Sequence, residues 1–353
     1  MGDTAGSRPP TLPAGAGDWL AEVLDSPVVE VDSERIRPWS GVWSFLDDAG
    51  ARWWFKANAR GTVYEPALLE VLAAIGSPLV PVVGGIDTSR AWSVTRDAGV
   101  SARTVFDAVG AGDPANLLAC WEPVLAAYAS LQLATASSAA ALAAAGVPEL
   151  GPDSIPALFA DLVDDTGWLI PGRSEEMPMA TYERLLAAAP AVADACERVA
   201  ALGLPLTVQH DDLHEGNLYV RAGGEPVSTV MAALPAELAA GDVTIIDWGD
   251  ASLGVPLGTL LVTLRTVAER VGVGYRAPAP FDRLVDAYLE PFTGPGRRRT
   301  ELRAALPDVM TLARIGRAAS WRRALGDPAE AAALGWQDGV PGWMATVVGS
   351  DWI

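Results

Sequence analysis

Lysine is nearly absent from this chain of 353 residues: of its 25 lysines and arginines, only Lys56 is a lysine. Histidine is almost as scarce, with His210 and His214 alone, four positions apart. The two cysteines, Cys120 and Cys196, lie in apolar, helical-looking surroundings without CxxC spacing, which favours buried free thiols over a disulfide or a zinc site. No run of 18 or more apolar residues occurs, and the first twenty residues, broken by Pro9, Pro10 and Pro13, lack the apolar core of a signal peptide. The expectation is therefore a cytoplasmic protein with no membrane span. Positive charge is short as well. A formal net charge of −19 repels phosphate backbones and anionic lipid, which argues against nucleic acid and membrane surfaces as partners. The same acidity attracts a cationic small molecule, though it also serves simply to keep a protein in solution.

What is present is apolar material for a large core, 50% hydrophobic residues against 20% charged, in a length that favours two lobes over one. Residues 1–17 read as a flexible tail, with Asp18 capping a short helix to Leu24. β-branched and aromatic residues then predict strands at Val28–Val31, Val42–Leu46 and Arg52–Ala57, the last two joined by a hairpin turn over Asp47–Gly50. A helix over Glu65–Ala74 carries Leu68, Leu69 and Leu72 on one face, and strands follow at Val82–Ile86 and Trp92–Thr95. From about residue 101 the chain reads as mostly helical, with Leu117, Trp121, Leu125, Tyr128 and Leu131 at helical spacing. Short strands return at Leu206–Gln209, Leu218–Val220 and Val243–Ile246. The polar, Ala-rich stretch Gly223–Gly241 between the last two reads as a loop, an insertion by comparison with the family resembled below.

Phosphoryl transfer requires an ammonium on the nucleotide phosphates, a carboxylate facing the acceptor hydroxyl and oxygen ligands for Mg²⁺. The chain offers these in order. A compact ammonium suits a site where a planar guanidinium would not fit, and Lys56 stands near the end of the third strand. Glu65 opens the next helix and could pair with that ammonium, as could Glu70 on the same helix. Asp212 and Asn217 lie five residues apart in a loop between strands, and Asp247 follows the apolar strand that ends at Ile246. The histidine pair admits another reading, because His-x-x-x-His with an acidic second residue is also a zinc-hydrolase pattern. Asp in place of Glu, a nearby Gly216 and the lack of a third histidine oppose it. Arg314, Arg317, Trp321, Arg322 and Arg323 recur at helical spacing, where Arg314 and Trp321 could touch an acceptor; a helix with a solvated basic face is the preferred reading.

The run His210-Asp211-Asp212-Leu213-His214-Glu215-Gly216-Asn217, followed by Ile246-Asp247-Trp248 and Gly254-Val255-Pro256, resembles the aminoglycoside phosphotransferase and choline kinase-like family over about residues 28–265. That resemblance implies an α+β, bilobal protein-kinase-like fold. Its N-terminal lobe is a small antiparallel sheet, residues 18–97, that binds nucleotide and ends in a hinge. Its C-terminal lobe, residues 98–353, is large and mainly helical, with the catalytic loop and acceptor site. The same resemblance implies Asp212 as catalytic base, Asn217 and Asp247 as Mg²⁺ ligands, and Lys56 on the α- and β-phosphates with Glu65 beside it. It makes Thr95 to Asp97 the hinge that receives the purine, and places Ser40 and Gly41 in the phosphate-covering turn, which has a single glycine. Asp211 stands where the family commonly has Gly, and with Glu215 is expected to serve a polar or cationic acceptor. Thr259 replaces a frequent Asp. The expected activity is Mg²⁺-dependent transfer of the γ-phosphate of ATP or GTP to a small-molecule hydroxyl. The acceptor is expected to be an antibiotic or related natural product, with a sugar, amino sugar or choline-like metabolite next. A nucleotide-binding pseudokinase is the alternative of another class.

Overall fold

Alternating aromatic and polar residues in the first hundred positions build a sheet with one dry face. The computed structural model describes residues 10–109, 114–173, 175–221, 243–276 and 278–353. Strands β1 (Val28–Arg37), β2 (Ser40–Asp47), β3 (Arg52–Asn58), β4 (Val83–Asp87) and β5 (Trp92–Arg96) pair antiparallel in the order β1-β2-β3-β5-β4. Trp43, Phe45, Phe55 and Val94 point to one side and bury against Trp19 and Leu20 of helix α1 (Ala16–Leu24). The Trp19 ring lies 6.0 Å from Phe55 and 5.7 Å from Trp92. Because side chains alternate along a strand, Trp54 and Lys56 leave β3 on the opposite face. In register, Lys56 stands between Val42 of β2 and Ser93 of β5.

Three local expectations are corrected. Helix α1 starts at Ala16 behind Gly15, whose φ of 77° suits glycine, so Asp18 lies in the first turn and complements the helix dipole there; it is not the cap. The segment before it is partly docked, since Leu12 packs on the small core and the Thr11 N–H donates to Glu34 at 3.0 Å; residues 1–9 lie outside the described residues. Strand β1 also runs six residues beyond Val31. It is an edge strand whose second half is exposed, so its polar residues carry no apolar alternation to read.

Helix α2 (Glu65–Ile75) begins with Pro66 in its first turn, ends at Gly76 with φ 73°, and buries Leu68, Leu69 and Leu72. The helical remainder is organised around α3 (Pro114–Thr135). The stretch 117–144 has the length and hydropathy of a membrane span, 28 residues at 1.3. Within it, however, Trp121, Val124, Leu125 and Tyr128 are fully buried in the main core. Two small sheets lie within this lobe, one of β6 (Val100–Ser101), β9 (Leu218–Val220) and β10 (Val243–Ile245), the other of β7 (Glu149–Leu150), β8 (Thr207–Gln209) and β11 (Ser252–Gly254). They frame the loop 210–217 and the turn after Ile246. The expected insertion at Gly223–Gly241 lies outside the described residues.

The lobes are stitched together by the long helix Arg299–Leu325. Near its end Trp321 meets Trp39, which occupies the β1–β2 turn, and Trp336 completes the cluster with its ring 4.8 Å from that of Trp39. Arg323 donates to the Gly61 carbonyl at 2.9 Å, and Gly61, at φ 88°, leaves no room for a side chain: a Cβ would stand 2.4 Å from the Arg323 oxygen. Tyr64 closes the seam by sharing its hydroxyl proton between the carbonyls of Gly249, at 2.6 Å, and Ala251, at 2.8 Å. Replacing Tyr64 by Phe strands these buried acceptors and is expected to cost about 1–3 kcal/mol of stability by urea denaturation. An unchanged transition would mean that the seam holds without this hydroxyl.

Candidate active site

Lys56 enters the space between the lobes from β3, and two carboxylates grip it. Its Nζ lies 2.6 Å from Glu65 of α2 and 2.5 Å from Asp247 beyond β10. Glu65 also accepts the main-chain N–H of Trp248 at 2.9 Å, whereas Glu70 of the same helix is exposed. Burial by itself would pull the ammonium's pKa down; the carboxylates of Asp247 and Glu65 outweigh it and raise the pKa instead. Burial likewise opposes the Asp247 carboxylate, yet Lys56 prevails and holds its pKa low, while burial leaves that of Glu65 raised. Asp247 adopts a left-handed backbone, φ 63°, a conformation Asp tolerates better than most residues. The chain there leaves β10 and enters a tight turn at Trp248–Asp250.

The loop 210–217 is held from behind by His210. Its Nε2–H donates to the Ile246 carbonyl at 2.8 Å, its main-chain N–H to the Tyr128 hydroxyl at 2.8 Å, and its ring packs 4.7 Å from Trp248. Burial lowers its pKa, so the imidazole is a neutral brace. Asn217 Nδ2 donates to the main-chain oxygen of Asp212 at 3.0 Å and lies 3.4 Å from its Oδ2. Asp212 Oδ1 faces Arg317 Nη2 at 3.1 Å, and Arg317 Nη1 reaches Asp250 at 3.1 Å. Thr259, in place of an Asp, is buried and donates to Gln209 at 3.2 Å, tying β8 to the following helix without an ion pair.

These groups line one cleft of about 540 Å³ between the lobes, where Lys56, Glu65, Asp212, Asn217 and Asp247 meet apolar walls from Val42, Pro81, Ala98 and Ile246. Thr95 lines it as well. Asp97 does not: its carboxylate accepts from the Trp54 indole at 2.7 Å and the Gly99 N–H at 3.2 Å, and so braces the segment after β5 from within. Ser40 and Gly41 also lie off the cleft, paired in the sheet with Asn58 and Ala57, and the turn before them is clamped by the Trp39 cluster. Glu215 sits against Arg270 at 3.3 Å and Arg103 at 3.6 Å, a structural anchor away from the cleft wall. Asp211 faces backward, accepting from Ser252 at 2.5 Å beside a cavity of about 30 Å³. Arg314 is buried on the Asp351 carbonyl at 2.9 Å, its pKa pulled down to about 10 by burial, and Trp321 belongs to the seam between lobes.

The expected solvated basic face is thus absent: Arg314 and Arg317 are buried, and Arg322 and Arg323 are engaged with Asp165 and Gly61. Sequence reasoning missed Asp250 and the pairing of Arg317 with Asp212. The only sequence signal was a run of arginines on an otherwise apolar helix, which does not say what they meet.

The zinc alternative also fails on geometry. The segment 210–214 is loop and not helix, His210 spends Nε2 on a carbonyl, and His214 Nδ1 accepts the Gly216 N–H at 2.9 Å. Among the described residues no cluster of three metal-binding side chains exists. A Mg²⁺ ion is a different case. Asn217 commits its amide nitrogen to Asp212 and Asp247 engages Lys56 through Oδ1, which leaves one oxygen donor on each. An amide oxygen and a carboxylate oxygen are hard donors of the kind that would hold Mg²⁺, with phosphate and water supplying the remaining ligands.

No protein-family model matches the chain, and no curated protein sequence matches it. Solved structures do. An ethanolamine kinase from Plasmodium vivax superposes with a TM-score of 0.54 at 11% identity, over 93% of this chain and 83% of that one. APH(2")-IIia, solved with GDP and kanamycin, gives 0.54 at 13%, over 94% and 96%. A choline/ethanolamine kinase family protein from Mesorhizobium loti gives 0.53 at 15%, over 94% and 93%. The chain therefore has the α+β, bilobal kinase-like fold. It shares that fold with these three solved structures.

Burial raises the Asp211 pKa from 3.8 to about 6, against the bond from Ser252. Between these values the folded state binds more protons than the unfolded one, so this residue makes stability fall as pH rises through that window. Asp211→Asn is expected to fold and to flatten that fall when urea stability is compared at pH 4 and pH 7. The same slope in the Asp211→Asn variant as in wild type would reject this assignment.

Proposed function

We propose that this protein is a Mg²⁺-dependent small-molecule phosphotransferase that moves the γ-phosphate of ATP or GTP to a hydroxyl group. The observation that carries the reading is the convergence of Lys56, Asp212, Asn217 and Asp247 on one cleft, although they come from separate stretches of chain. Lys56, already clamped, reaches the α- and β-phosphates. Thr95 and the apolar walls receive the purine. A Mg²⁺ ion held by Asn217 and Asp247 would neutralise charge on the β- and γ-phosphate oxygens. Asp212 accepts a hydrogen bond from the acceptor hydroxyl and takes its proton as the new P–O bond forms and the bond to the β-phosphate oxygen breaks. The loose transition state of this reaction asks the carboxylate chiefly to orient the hydroxyl.

For the acceptor, an antibiotic or related natural product bearing amines is the favoured class. Two observations support it: the net charge of −19, and a fold shared with a protein solved with kanamycin and with ethanolamine kinases. The same charge opposes a nucleic-acid acceptor.

Screening aminoglycosides, macrolides, choline, ethanolamine and amino sugars for phosphate transfer from ATP and from GTP tests the reading. Asp212→Asn is expected to lower turnover by about 10²–10⁴-fold while nucleotide affinity stays within a few-fold. Lys56→Ala should raise the nucleotide KM sharply, and chelation of Mg²⁺ should abolish turnover reversibly. A protein that binds nucleotide yet turns over no acceptor, nor water, would be a pseudokinase.

A further inference from the structure

The helix Arg299–Leu325 delivers to the catalytic loop a guanidinium that no motif of that loop announces. Arg317 spans two carboxylates, Asp212 Oδ1 and Asp250 Oδ2, each at 3.1 Å, and its side chain is only 8% exposed. Asp250 closes the turn that starts after Asp247, and Ser320, one turn further along the same helix, donates to it at 2.5 Å. Trp343 stacks loosely on the guanidinium, 5.9 Å from ring centroid to Cζ. Both terminal nitrogens are occupied by carboxylates, so this arginine does not reach for a phosphate.

We propose that Arg317 is a positioning residue for phosphoryl transfer: it pins one oxygen of Asp212 so that the other, beside Asn217, is presented to the acceptor hydroxyl, and Asp250 aims the guanidinium. The proposal rests on the kinase reading above. An isolated aspartate beside a cleft samples several rotamers, and fixing it removes that freedom before the acceptor arrives. Arginine suits the task because its planar fork addresses two carboxylates in fixed directions, which a lysine ammonium does not. Asp250, paired with Arg317 and Ser320 of the long helix, keeps the guanidinium from rotating away. The same helix docks the N-terminal lobe through Trp321 and Arg323, so the placement of Asp212 is tied to the placement of the phosphate-binding face.

The test uses the full chain with MgATP and MgGTP, water or any acceptor found in the screen receiving the phosphate. Arg317→Lys keeps the charge and loses the fork; its kcat is expected to fall about 10- to 100-fold with nucleotide Kd within about threefold of wild type. Asp250→Asn should lower kcat in the same direction. The double variant should fall no further than Arg317→Lys alone, because both changes act through one contact. Arg317→Gln serves as a second variant where thermal melting shows it folded. A kcat within about threefold of wild type in folded Arg317→Lys overturns the proposal, as does loss of nucleotide binding together with turnover, or losses at 250 and 317 that simply multiply. The two readings fail separately: a wild-type protein that passes phosphate to no acceptor and to no water removes the kinase reading, whereas wild-type turnover that folded Arg317→Lys leaves unaffected removes only the positioning role.

Discussion

The ammonium of Lys56, held between Glu65 and Asp247, is the interaction on which the rest of the arrangement depends. A lone buried ammonium is too costly to keep charged, and two carboxylates from different elements make it favourable. Because one partner opens α2 and the other follows β10, the same contact sets the distance between the small sheet and the helical lobe. It also fixes Asp247 by one oxygen and brings Trp248, whose N–H binds Glu65, into the core beside His210. A chain with one lysine places it at the point where three elements meet.

Around that centre, charge is handled by pairing in fixed directions. Asp212 is flanked by Arg317 and by the Asn217 amide, Asp250 by Arg317 and Ser320, and Glu215 by Arg103 and Arg270. For Asp250 the arginine and the hydroxyl outweigh burial and hold its carboxyl down to about 2. Among the described residues no such cation pairs with Asp211, and burial wins there. Adjacent carboxylates, 211 and 212, thus face opposite sides of the loop with different surroundings, one toward a small internal cavity and one toward the cleft.

Much of this was legible in the residue order. The strands around Phe45 and Phe55, the helix of Leu68, Leu69 and Leu72, and the helical spacing from Trp121 to Leu131 are local patterns, and local patterns report which face is apolar. Lys56, Asp212, Asn217 and Asp247 could be singled out because their residue types and order match one chemistry. Less legible were Ser40, Gly41, Asp97 and Glu215, whose place in the motifs suggested ligand contact. The structure uses them for sheet pairing, an indole hydrogen bond and an ion pair, since any polar group near a core must find a partner. The arginines of the long helix were misread for the same reason: helical spacing shows a shared face but not what the face meets.

By itself, the sequence determined the class of elements, the large apolar core and the identity of the chemical groups available, because backbone periodicity and side-chain chemistry are local properties. Apart from Glu65 beside Lys56, it was the tertiary structure that decided which carboxylate meets which cation. Arg317 and Asp212 stand far apart in the chain, as do Lys56 and Asp247, and partners at such separations are chosen by how helices and sheets pack, a choice that no local pattern encodes.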